Sequence, residues 1–232
     1  MGYYYGIDVY YLILVLPAFI FSLYAQFKVK GTFSKYSRVG NSRSMTGADI
    51  ARMILDRNGL YDVKVEAYPG DLTDHYDPRT RVVRLSRSVY NSTSVSAVGV
   101  AAHETGHAIQ HKEGYGPLGL RSSLVPIANI GSSIGPTMAI IGLIFGMPFL
   151  IKLGIILFGA AVLFYIVTLP VEFNASSRAI RTLEDTGIFN YNEIDHAKKV
   201  LRAAAMTYVA SAAVAVANLL RLILITSNRR DD

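Results

Sequence analysis

Residues 103–107 read His103-Glu104-Thr105-Gly106-His107. Two histidines four apart on a helix share one face and can hold one ion. The glutamate between them lies on the adjacent edge, within reach of a water at that ion. With 5 His in 232 residues, an accidental H-E-x-x-H is expected only about 0.003 times. Imidazole suits zinc, and a catalytic zinc site takes three protein ligands and leaves the fourth position to water. The chemistry indicated is metal-assisted hydrolysis with Glu104 as general base. The motif needs a helix, and the sequence predicts one. Asn91-Ser92-Thr93-Ser94 offers several N-caps, and Val95, Val98, Val100, Ala101 and Ala102 follow with no breaker stronger than Gly99.

A third ligand is required. The longer pattern H-E-x-x-H-x-x-G-x-x-H is not met, because Gln110 stands at its glycine and Glu113 at its last histidine. His111 lies one further turn along the same face. Ligands at three successive i, i+4 positions do not easily surround one ion, so His111 reads as a polar neighbour. Glu113 is the local candidate; His196 and His75 are remote ones. Glu172 is stronger. It is the first acidic residue after a long apolar stretch and opens Glu172-Phe173-Asn174-Ala175-Ser176. A glutamate on a downstream helix is the third ligand in one large class of H-E-x-x-H peptidases. Glu172 can meet the histidines only if the intervening residues cross a membrane an even number of times. His75, Arg178, His196 and Tyr208 have the chemistry to stabilise an oxyanion, and none stands out.

The elements that must position these residues follow from composition and patterning. The chain is 51% hydrophobic and 17% charged, more apolar and less charged than soluble domains at roughly 45–50% and about 25%. It has no cysteine, which excludes disulfide scaffolds, thiolate metal sites and cysteine nucleophiles. A net charge of +6 sits in polar blocks beside apolar stretches, as expected at an anionic membrane surface rather than on nucleic acid. The stretch 9–27 is uncharged and long enough for one crossing. Asp8 precedes it, while Lys28, Lys30, Lys35 and Arg38 follow, which places the next segment in the cytoplasm. Between Pro126 and Pro170 Lys152 is the one charged residue, a length suited to two crossings with Gly146-Met147-Pro148 as the turn. Ala203 to Thr226 is apolar apart from Asn218 and Arg221.

The expected architecture is mainly α. About four transmembrane helices carry a small α+β, zincin-like cytoplasmic catalytic domain. Its parts are a transmembrane helix over 9–27, a catalytic unit over 40–125, a transmembrane hairpin over 127–170, a catalytic segment over 171–202, and a transmembrane or buried helix over 203–226. Within the soluble part, Thr46 with Asp49 forms a capping-box signal for a helix ending near Asn58-Gly59. Two short strands are expected, one around Val63, Val65 and Ala67 and one over Val82 to Leu85 after the Asp77-Pro78 turn signal. The second could pair with an extended peptide along its edge.

These residues resemble a known family. The segments Asp74-His75-Tyr76-Asp77-Pro78-Arg79-Thr80, Val82-Val83-Arg84-Leu85-Ser86 and Gly99-Val100-Ala101-Ala102 running into the motif are similar to bacterial membrane-bound neutral zinc metallopeptidases of the YugP type. The likeness continues through Glu172-Phe173-Asn174-Ala175 and Thr207-Tyr208-Val209-Ala210. More distantly the plan resembles HtpX-like membrane proteases. The resemblance implies one zinc ion, His103, His107 and Glu172 as its ligands, Glu104 as catalytic base, and peptide or protein substrates at a multi-pass cell membrane. Ser176 departs from the broader pattern, which has an aspartate there to support a ligand histidine; Ser176, Asn174 or another residue must take that part. The competing reading is a non-catalytic zinc-binding scaffold or assembly factor, against which Glu104 counts, since a structural site has no use for a base. A channel is disfavoured, because only Lys152 and Arg221 are charged within the spans.

Overall fold

The computed structural model describes residues 8–227. A π-helical stretch, Tyr11–Val15, leads into α1 (Leu16–Tyr36). There follow α2 (Gly47–Arg57), β1 (Lys64–Tyr68), β2 (His75–Asp77), β3 (Val82–Ser86), α3 (Arg87–Tyr90), α4 (Val95–Lys112), α5 (Gly116–Ile144), α6 (Pro148–Thr186) and α7 (Tyr191–Ser227). The chain is mostly helical, with one small mixed sheet. It divides into two compact units. One takes the chain up to Gln26, Gly119–Pro170 and the chain from Thr207 onward. The other comprises Phe27–Leu118 and Val171–Met206.

In the second unit, local signals set the elements. The Thr46 side chain accepts from Asp49 N at 3.2 Å while Asp49 accepts from Thr46 N at 2.9 Å, so the capping box starts α2 where its sequence predicts. Ser94 caps α4 by accepting from Ala97 N at 3.2 Å. The sheet order is β1-β3-β2, with β1 parallel and β2 antiparallel to β3. The two strands expected from alternation are present, and β2 is an additional one. β3 is therefore the middle strand, with both edges occupied, which overturns the expectation that Val82 to Leu85 offers an edge to a peptide. Its burial agrees: Val82, Val83, Leu85 and Ser86 are all buried. Asp77 ties the β2–β3 connection by accepting from Thr80 Oγ1 at 2.7 Å and Arg84 Nη1 at 3.0 Å. These two donors hold its carboxyl well below the usual range.

One apolar cluster organises this unit. Ile50, Ile54 and Leu55 of α2, Leu85 of β3, Val98 and Ala101 of α4, Leu183 of α6 and Ala197 and Leu201 of α7 are buried together. Each large side chain removed from water here contributes roughly 1.5–3 kcal/mol, so α4 is clamped between α2 on one side and the ends of α6 and α7 on another.

Among the described residues, four helices are long and apolar enough to cross a membrane: Tyr11–Tyr36, Gly116–Ile144, Pro148–Thr186 and Tyr191–Ser227. The turn between α5 and α6 falls at Phe145 to Met147, with Gly146 at φ +64°, a left-handed conformation that glycine adopts without strain. The two helices approach closely at glycines. A Cβ on Gly154 would lie 2.5 Å from the carbonyl oxygen of Gly135, the small-residue contact by which membrane helices gain dispersion energy in place of a hydrophobic drive. Arg221 donates to Asp8 at 2.6 Å and 2.9 Å and lies 5.5 Å over the Tyr11 ring, so the charge inside the apolar stretch of α7 is neutralised by a partner. Pro170 does not end a helix: α6 runs through it. Glu172 consequently belongs to the same helix as the apolar stretch that precedes it.

Candidate metal centre

Helix α4 places His103 and His107 one turn apart, their rings edge to face with centroids 4.8 Å apart. Helix α6 brings Glu172 against them: Oε2 is 3.2 Å from His103 Nε2 and 3.6 Å from His107 Nε2. One ligand atom from each of the three residues lies within 4.8 Å of the others. Zinc bonds of about 2.1 Å in tetrahedral geometry put donors about 3.4 Å apart, close to the two separations observed. Two imidazoles and one carboxylate are a zinc-type donor set that leaves a fourth position open. The residues present fit the ion.

The other nitrogen of each ring is also occupied. Ser176 Oγ lies 3.1 Å from His103 Nδ1, where it can accept the ring proton and leave Nε2 unprotonated. His107 Nδ1 is 3.0 Å from Gln110 Oε1. The Gln110 amide is oriented by two acceptors, Val171 O at 2.8 Å and Asn174 Oδ1 at 2.9 Å, both reached by Nε2. Its oxygen must therefore face His107, whose Nδ1 must donate, so the tautomer is set and Nε2 turns its lone pair toward Glu172. Asn174 accepts in addition from Arg178 Nε at 2.7 Å, and Arg178 Nη1 donates to Glu113 at 2.6 Å. The question left open at Ser176 is thus answered by two residues: Ser176 supports His103 directly, and Asn174 supports His107 through Gln110.

Gln110 was legible only as a mismatch to a longer motif. Its place three residues after His107 on one helix face was the signal available. Gln110 is fully buried, so Gln110→Leu removes the His107 contact and both bonds that tie α4 to Val171 O and Asn174 Oδ1, at similar volume. Zinc affinity, measured by chelator competition, is expected to fall about 10–100-fold; an unchanged affinity would show that Gln110 does not orient His107.

Other sequence candidates lie elsewhere. Glu113 pairs with Arg178. His111 Nδ1 is 2.8 Å from Tyr76 Oη, His75 Nδ1 is 2.7 Å from Thr73 O, and the His196 ring stacks on Tyr36 at 4.6 Å. Tyr208 lies on α7 in the first unit. Among the described residues, His103, His107 and Glu172 are the one group of three able to hold an ion. Glu104 is buried, and burial, opposed by the two neighbouring histidines, pushes its carboxyl up. No described residue hydrogen-bonds that carboxyl.

The close approach of the two helices depends on Gly106. A Cβ there would lie 2.6 Å from Ala175 O and 3.2 Å from Ala175 Cα, a backbone contact no side chain can relieve. The glycine inside the motif is what lets Glu172 and Ser176 reach the histidines and Asn174 reach Gln110.

A metal-type centre on a helical membrane chain defines a class, and the comparisons specify it. A family model described as "Putative neutral zinc metallopeptidase" matches residues 11–227, and the chain belongs to that family. It is 53% identical over 222 residues to a Bacillus subtilis (strain 168) protein named "Putative membrane protease YugP", covering 96% of this chain and 99% of the relative. No solved structure matches.

Proposed function

We propose that this chain is a membrane zinc endopeptidase that cleaves membrane or membrane-proximal proteins, with His103, His107 and Glu172 as metal ligands and Glu104 as general base. The observation that carries the reading is the meeting of the three ligand atoms, each imidazole held by a second partner, beside a buried carboxyl without a hydrogen-bond partner of its own among the described residues. Zinc in this position supplies Lewis acidity, polarising a carbonyl and acidifying water. Glu104 accepts the proton of the attacking water and delivers it to the departing amine, so the proton returns to the product and the base is regenerated. Ser176 and Gln110 keep both imidazoles in the ligating tautomer through the cycle.

The same reading divides the chain into a span over 9–27, a hairpin over 127–170 and a fourth span over 203–226. The zincin-like catalytic part is assembled from 40–125 and 171–202. The basic residues Lys28, Lys30, Lys35 and Arg38 support a cytoplasmic position for it. The testing experiment is elemental analysis of detergent-purified protein. One zinc per chain is expected in the wild type, with content falling well below half in both His103→Ala and Glu172→Ala. Full zinc retention by Glu172→Ala would refute the ligand set.

A further inference from the structure

Beside Asn174, on the side of α6 that carries Arg178, lies a cavity of about 370 Å³ in the same unit. Its walls are polar: Asn58 at the end of α2, Glu113 after α4, and Asn174, Ser177, Arg178 and Arg181 of α6. Arg178 and Arg181 are three residues apart and so share a helix face, a like-charge placement that weakens a helix unless it is compensated. The compensation inside the protein is partial. Glu113 takes Arg178 Nη1, and Asn174 takes its Nε, while no described residue bonds its Nη2. Arg181 is exposed and has no hydrogen bond or ion pair among the described residues. Ser177 adds a hydroxyl without a bonded partner among them.

We infer that this cavity is a binding site for a phosphate group, held by the guanidinium forks of Arg178 and Arg181 with the Ser177 hydroxyl. Planar forks match the spacing of phosphate oxygens and bind them with two parallel hydrogen bonds, and two arginines outweigh the one carboxylate of Glu113. The site is continuous with the metal centre through the chain Arg178, Asn174, Gln110, His107. A bound phosphate adds a second hold on Arg178, stiffens the hydrogen bonds that orient His107, and so favours retention of the metal. By reciprocity the metal favours the phosphate to the same degree. That coupling rests on the ligand assignment proposed above; the anion site does not.

The experiment uses the full chain in detergent, stripped of metal because phosphate itself ligates zinc. Thermal unfolding is followed with inorganic phosphate against chloride at equal ionic strength, for wild type and Arg181→Gln. A phosphate-specific rise of about 2–4 °C in wild type is expected at saturation, reduced by at least half in Arg181→Gln. A parallel arm uses phosphatidylcholine vesicles with and without phosphatidylglycerol. A rise with inorganic phosphate assigns a free anion, whereas a rise only with phosphatidylglycerol that is lost in Arg181→Gln assigns a lipid headgroup. No rise in either arm, or an equal rise in Arg181→Gln, overturns the site. With zinc restored, phosphate is expected to slow zinc loss to a chelator about fivefold in wild type but not in Arg181→Gln, which separates the cavity from phosphate bound at the metal itself. An unchanged rate overturns the coupling, and a shift that persists in metal-free protein separates that failure from a wrong ligand set.

Discussion

Exchange of Glu104 for glutamine is expected to lower kcat/KM for peptide hydrolysis by about 10²–10⁴-fold, with zinc content and thermal unfolding near wild type. Glutamine has the same shape and can still hydrogen-bond a water, but it cannot take the proton that the water must lose. The loss therefore falls on the transition state, as a drop in kcat with KM little changed, and corresponds to about 3–5 kcal/mol at roughly 1.4 kcal/mol per tenfold. Folding is expected to suffer little. Burial already disfavours the ionised carboxyl, so replacing it by a neutral group removes a cost rather than a support. The measurement is hydrolysis of an unfolded protein substrate by purified protein, with metal content determined on the same sample. Activity within tenfold of wild type would remove Glu104 from the mechanism and leave the scaffold reading in its place. Loss of zinc together with activity would mean that Glu104 acts on the metal site itself.

What the sequence made readable was local. The capping box at Thr46 and Asp49, the capped helix that carries the motif, and the turn at Gly146 each depend on residues within a few positions of one another, and each stands where its sequence predicts. What it hid was relational. β2 is three residues long, His75–Asp77, too short to show alternation, and it exists because β3 lies beside it. Its presence turned β3 from an expected edge into a middle strand. Pro170 read as the end of an apolar segment, yet within a helix packed among others the lost backbone bond is tolerated, so α6 carries the apolar stretch and Glu172 together. Gln110 could not be assigned from α4 alone, because its role depends on Val171 O and Asn174, more than sixty residues away. The carboxylate that the wider pattern puts at Ser176 is replaced here by a hydroxyl near one histidine and an amide relay at the other, a division of labour visible only once the two helices are set side by side.

That dependence on two helices gives the second large effect. Gly106→Ala is expected to reduce activity by about 10²-fold or more and to weaken zinc binding, although the change adds one methyl group and alters no ligand. The new Cβ would stand 2.6 Å from Ala175 O, so α4 and α6 must move apart. Both histidines proposed as ligands lie on α4, whereas the proposed third ligand, Glu172, and two of the groups that orient the imidazoles, Asn174 and Ser176, lie on α6. A separation on the order of 1 Å lengthens every contact between the two sets at once, and such a displacement alone costs about 10²-fold in rate. Overpacking of this kind also destabilises by about 1–3 kcal/mol, which lowers the melting temperature by several degrees in a chain of this size. The control is Gly119→Ala in α5, where a Cβ meets nothing within 4 Å; there alanine is expected to leave activity and zinc unchanged and to stabilise slightly, because it restricts the unfolded chain. If Gly106→Ala retained wild-type zinc and activity, close apposition of the two helices would not be what assembles the site, and Glu172 would lose its geometric claim as the third ligand.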